Sequence, residues 1–238
     1  MKKFSIFITL VLFACFTAAA SAQDMTRVKC DRYTMNVPSQ NVKCYQTDDN
    51  IPVGEEASPE EVAKAQTANT TIYFSDYERT SSTVPPQVIF YDFNDLGQTS
   101  FELMERAFTL SDMIENLNSG FSDLAEDYEE TPFLPYQVEE RQVWALPKAI
   151  NFDGGTGIRT IAVFEDVISA GASGSNLYYS FQAVSTDGET YVSAVFPLQC
   201  PSIQGQRSKD VNWEALGDKD FNPSLDELDY YMQSIVME

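Results

Sequence analysis

Histidine is absent from the 238-residue chain. Without an imidazole there is no Ser-His-Asp or Cys-His relay and no histidine-ligated zinc. Cysteine is sparse, and none of the four falls in a C-x-x-C pair that would suggest a thiolate metal site. Gly171-Ala172-Ser173-Gly174-Ser175 lacks the order of a nucleophile elbow and reads as a flexible loop. Gly154, Gly155 and Gly157 follow one strand and lead into another, so no helix start is offered to a phosphate. Neither a metal nor a cofactor is expected.

Positive charge is also scarce. The chain has 15 Lys and Arg against 36 Asp and Glu, and loss of Lys2 and Lys3 with a leader would leave 13 against 36, a net charge of −23. Such a surface repels phosphate backbones and anionic headgroups, which excludes a nucleic-acid binder. Long apolar runs are missing beyond the leader, and nothing there reaches the roughly 20 residues of a membrane-spanning helix.

What is present begins with an export signal. Lys2 and Lys3 precede an apolar run from Phe4 to Phe16, and Ala20-Ser21-Ala22 forms a small-residue cleavage site. Residues 1–22 are read as a signal peptide, with Gln23 as the first mature residue. Leu12-Phe13-Ala14-Cys15 offers a rival lipoprotein box with Cys15 as the lipidated residue, although Phe13 is bulky for that position. Either way the chain is exported to the periplasm, cell surface or medium, an oxidising compartment. There the close pair Cys30 and Cys44 is expected to bridge, closing a hairpin-like loop with Val37 to Asn41 at its tip. Cys200 is left as a buried thiol or an intermolecular one.

Residues 23–69 are read as a disulfide-bearing segment and an acidic linker, and 70–238 as an α+β domain that forms one globular unit with the N-terminal strands. Ser58 caps a short helix near Pro59 to Gln66, with Pro59 at its first position. Thr70 to Tyr77 and Gln87 to Phe93 are strands rich in β-branched and aromatic residues. From Ser100 to about Asp127 the apolar spacing is helical, and Thr109 to Asp112 and Gly120 predict two or three shorter helices. Gln142 to Phe152 and Ile158 to Val167 are strands around an Asp153 to Gly157 turn.

The sharpest pattern is NLYYSFQAVSTDGETYVSAVFPL, residues Asn176 to Leu198. A turn at Asp187-Gly188 places Ala183 opposite Val192, Phe181 opposite Ala194 and Tyr179 opposite Phe196. One face is then continuously apolar, with Ser180, Gln182 and Ser193 on the other. The acidic Asp187-Gly188-Glu189 triplet is therefore a hairpin tip, not a site. Asn222 and Pro223 are expected to start a final helix whose buried stripe is Leu225, Leu228, Met232, Ile235 and Val236. Helices beside antiparallel hairpins give an α+β fold with helices packed on a sheet.

Five stretches carry a family resemblance: PPQVIFYDF (Pro85 to Phe93), PFLP (Pro132 to Pro135), FDGGTGIRTI (Phe152 to Ile161), LYYSFQAVSTDGETYVSAVFPL (Leu177 to Leu198) and FNPSLDELDYYMQSI (Phe221 to Ile235). In that order they resemble an uncharacterised family of exported bacterial proteins, many of them lipoproteins, with no assigned activity. The resemblance implies an exported single domain. The layout is also similar to PsbP-like sandwiches, a fold-level analogy only.

Two candidate sites remain. Arg159 shares a strand face with Ile161 and Val163, so its guanidinium needs an acidic partner or a carboxylate-bearing ligand. Asp218, Asp220, Asn222, Ser224, Asp226 and Asp229 follow EF-hand spacing, but Pro223 occupies the glycine position and Asp229 replaces the bidentate glutamate, so no calcium site is expected. The expected function is non-catalytic binding of a protein partner or small ligand outside the cytoplasm. A carboxylate-dependent hydrolase and a structural envelope component are the alternatives.

Overall fold

The computed structural model describes residues 25–38, 42–75, 77, 82, 84–119, 131–135, 141–171 and 174–238. The expected leader with Cys15, the Ser39 to Asn41 part of the expected loop tip, and Gly120, Phe121 and Leu124 lie outside the described residues.

Seven strands form the central antiparallel sheet: β3 (Val42–Thr47), β4 (Asn69–Phe74), β5 (Gln87–Asp92), β6 (Val143–Phe152), β7 (Gly155–Val163), β10 (Leu177–Ser185) and β11 (Thr190–Pro197). Their spatial order is β3-β4-β5-β11-β10-β7-β6. A smaller sheet holds β1 (Met25–Cys30), β2 (Tyr33–Pro38) and β12 (Val236–Met237), in the order β1-β2-β12. β8 (Ala170–Gly171) and β9 (Gly174–Ser175) make a minimal ladder where a flexible loop was expected. The fold is α+β, with helices packed on antiparallel sheets.

The β10–β11 hairpin has the expected register, with Ala183, Phe181 and Tyr179 opposite Val192, Ala194 and Phe196. Its loop is longer than a two-residue turn: Gly188 N–H donates to the Ser185 carbonyl, and Gly188 takes the positive φ. Extending the loop by one residue on each side leaves the pairing unchanged. Asp187 closes the tip by accepting from Ser185 Oγ and the Glu189 amide, and these bonds hold its carboxyl below the ordinary range. Between β6 and β7 the turn is tighter than expected, because Gly155 already pairs with Phe152.

Both faces of this sheet are covered. On one face lie α1 (Pro59–Val62), α2 (Phe93–Thr99), α3 (Phe101–Ser119) and the Thr131–Pro135 segment, packed over residues such as Ile89, Ile158 and Tyr191. The opposite face packs on the small sheet and on α4 (Leu225–Gln233), burying Phe90, Ile161, Phe181 and Phe196. Tyr33 of β2 stacks on Phe90 of β5 at 3.9 Å between ring centres, docking one sheet on the other. Ser180, Gln182 and Ser193 are consequently buried, not solvated. Gln182 bonds both hydroxyls, Tyr191 donates to it at 2.7 Å, and the group meets the Leu134 backbone, so these buried dipoles are satisfied.

The helices differ from the sequence reading in several places: α2 was not foreseen, and Ile235 and Val236, expected in the last helix, lie beyond its end at Gln233, Val236 half-buried in β12. Ser58 caps α1 in a reciprocal box with Glu61, but the helix stops at Val62. α3 runs unbroken through Thr109 and Ser111, whose hydroxyls bond the carbonyls of Glu105 and Ala107 four residues back. α4 begins after Ser224, which accepts from the Glu227 amide, while Asn222 and Pro223 precede it across a cis peptide.

Candidate functional site

Two features stand out among the described residues, a buried ionic cluster under α4 and an unpaired sheet edge at β3.

The cluster is centred on Arg159, which is 4% exposed on β7. Its Nε lies 3.4 Å from Oδ1 of Asp229 on α4, and its Nη2 lies 3.9 Å from Asp218. The Nε contact is an ion pair by distance without hydrogen-bond alignment, and Nη1 has no hydrogen-bond partner. Asp229 is better satisfied. Tyr179 donates its hydroxyl to Oδ1 at 3.0 Å, and Lys148 from β6 reaches Oδ2 at 2.7 Å. Burial and the nearby Asp229 push the Tyr179 phenol well above its ordinary range. Asp218 sits at the outer side of the cluster. Partial burial, and then the neighbouring charge of Asp226, raise it above the usual carboxylate range against the pull of Arg159.

Arg159 thus lies where strand alternation placed it, facing inward among apolar side chains with two acidic partners. Asp229 was missed as its partner, although the signal was present: it follows Leu228 directly and precedes Met232 by three, within the helix's apolar stripe. Of the residues with EF-hand spacing, Asp218 and Asp220 bound a single 3-10 turn and Asp229 turns inward. Among the described residues no group of three or more acidic or thiol side chains is arranged to hold a metal.

The disulfide joins Cys30 to Cys44 with 5.7 Å between their Cα atoms. It does not close a simple hairpin, because β2 pairs with β1 and β12 while β3 pairs with β4. The bridge is a rivet between the two sheets, with Cys30 buried and Cys44 exposed. Cys200 is a buried free thiol beside Ser202 Oγ, which excludes the intermolecular reading for this conformation.

The rivet sets two strand edges side by side. Among the described residues no strand pairs with the outer side of β3 or of β1. Asp31 is the only acid between Met25 and Thr47, where Arg27, Lys29, Arg32 and Lys43 gather in an otherwise acidic chain. Arg27 donates to Thr34, and Lys29 pairs with Glu238. Lys43 is exposed and makes no hydrogen bond or ion pair among the described residues. On its face of β3 is Tyr45, 53% exposed, with its ring edge-on to Tyr73 of β4 at 6.4 Å.

Two clefts flank α1, about 160 Å3 between Gln66, Tyr91 and Leu134, and about 150 Å3 between Gly54, Val62 and Phe101. Both fall below the ~300 Å3 at which pockets enclose drug-sized ligands. Comparison with protein-family models, with curated proteins and with solved structures gave no match.

Proposed function

We propose that the protein is an exported, non-catalytic binding protein that engages a protein partner outside the cytoplasm. The observation carrying this reading is the regular edge at β3, unpaired on its outer side among the described residues, with an exposed tyrosine and the basic residues of an acidic chain. Such an edge offers rows of backbone donors and acceptors to another chain. Arg159 serves the fold: its charge is matched by Asp229 and Asp218, so it has less need of a carboxylate ligand. The Cys30–Cys44 bridge is compatible with an oxidising compartment, and no helix among the described residues is long and apolar enough to cross a membrane. Kinship with the exported family suggested by the five sequence stretches belongs to the same proposal.

The test is the native mass of the protein in an extract of the extracytoplasmic fraction of its own cells, set against the purified chain. A larger complex that dissociates as salt is raised is expected, because exposed charge contacts are screened. A chain that runs as the free monomer at every salt concentration would overturn the reading.

A further inference from the structure

The two edges of the central sheet are built differently. At the β6 edge the register shifts between Ala145 and Lys148, Leu146 takes a positive φ, and Pro147 removes a donor. Those are devices that stop another strand from adding. The β3 edge has no register shift, positive φ or proline, since Val42 to Thr47 pair with Phe74 to Asn69 over six residues in unbroken register, and Lys43 is its one charged residue. The Cys30–Cys44 bridge holds this regular edge against the small sheet, which fixes it before any partner arrives.

From this asymmetry we infer that β3 accepts an extended acidic polypeptide segment as an added strand, a deepening that rests on the partner-binding reading above. Main-chain bonds supply the attachment, and alternate side chains supply selectivity. Lys43 and Tyr45 are two residues apart on one face, so the incoming strand presents an acidic residue to Lys43. Two positions away it presents an apolar or aromatic residue to Tyr45 and Tyr73. Charge complementarity chooses the occupant. Among the described residues Lys43 has no partner, and Arg27 adds positive potential from the adjoining β1, where Lys29 is already paired with Glu238. The same charges repel an identical edge, which argues against a second copy of the chain.

The experiment is selection of a random twelve-residue peptide library on the immobilised mature chain, followed by fluorescence anisotropy of the enriched peptides. The variants are Lys43→Glu, Tyr45→Ala and, as a charge-matched control in the exposed turn that follows α1, Lys64→Glu; circular dichroism checks that each folds. Enrichment of peptides alternating acidic with apolar residues is expected. Their affinity should fall about tenfold in Lys43→Glu, by several-fold in Tyr45→Ala, and stay unchanged in Lys64→Glu. No enrichment, enriched peptides without acids, or equal binding by all variants would each overturn the inference. So would a dimer, seen by sedimentation, that Lys43→Glu dissociates. Equal binding by all variants leaves the partner-binding reading standing, whereas absence of a native complex removes that reading itself.

Discussion

Arg159 on β7 lies with its Nε 3.4 Å from Oδ1 of Asp229 on α4, and both side chains are at least 95% buried. Removing one charge of such a pair leaves the other stranded in a medium that solvates it poorly. Asp229→Ala is therefore expected to cost about 3 to 5 kcal/mol in urea unfolding, whereas Arg159→Met with Asp229→Leu should return most of that loss. Lys148 is 42% exposed at its side chain, and Lys148→Ala should cost less than about 1 kcal/mol. Equal losses in the single and paired variants would contradict this account.

Asp218 and Asp187 respond to pH with opposite signs. Burial and Asp226 raise Asp218 in the folded chain, so its folded form favours the proton. Its contribution is favourable below its unfolded pKa and is lost as pH rises through the raised folded value. Asp218→Asn should therefore raise the denaturation midpoint at pH 7 and lose that advantage in acid. The bonds from Ser185 and the Glu189 amide lower Asp187, so its contribution is present above its unfolded pKa and fades as pH falls through the folded value. Asp187→Ala should be the more damaging at pH 7. Denaturation midpoints measured across pH for both variants decide between these signs.

Reduction of the Cys30–Cys44 bridge frees a loop with a sequence separation of 14. In the chain-entropy description this lowers stability by about 3 kcal/mol, and Cys30→Ser with Cys44→Ser should lower the thermal midpoint to match. Cys200 is buried and should resist alkylation in the folded state, becoming reactive only as the chain unfolds. Rapid labelling of Cys200 at full native signal would show its environment to be open.

Gly157 tests the β7–β10 packing. A Cβ there would sit 2.4 Å from the Phe181 ring and 2.5 Å from the Ala183 methyl. Gly157→Ala is expected to cost about 1 to 3 kcal/mol through overpacking, while an alanine at Gly54, which meets nothing within 4 Å, should be close to neutral. Equal midpoints for the two alanine variants would mean the sheet accommodates the added methyl freely.

The register of the β10–β11 hairpin was legible because of its strict two-residue alternation, although the loop at its tip is longer than the two-residue turn expected. A one-residue slip would have turned Phe181 and Tyr179 to the wrong face. The inward position of Arg159 was legible for the same reason. Its partner Asp229 was less so, since an acidic residue near a helix start has an ordinary explanation in the helix dipole. Breaks were read into α3 at Thr109 and Ser111 because hydroxyl residues compete for backbone bonds. In the folded chain they make those bonds within the helix and leave it intact. The burial of Gln182 and Ser193 had no local signal at all, since it depends on the Leu134 backbone reaching them from a distant segment. The free edge at β3 was equally hidden, because a strand is an edge only by virtue of what fails to pair with it.

Val236 and Met237 pair with Thr34 and Tyr33, so the small sheet joins residues about 200 positions apart. β2 therefore has only β1 beside it until Val236 and Met237 have been made. Assembly in order of synthesis leaves this sheet to the last, and with it the support behind Tyr33 and Phe90. Loss of Val236 and Met237 would leave β2 with β1 alone and take away part of what holds Tyr33 against Phe90.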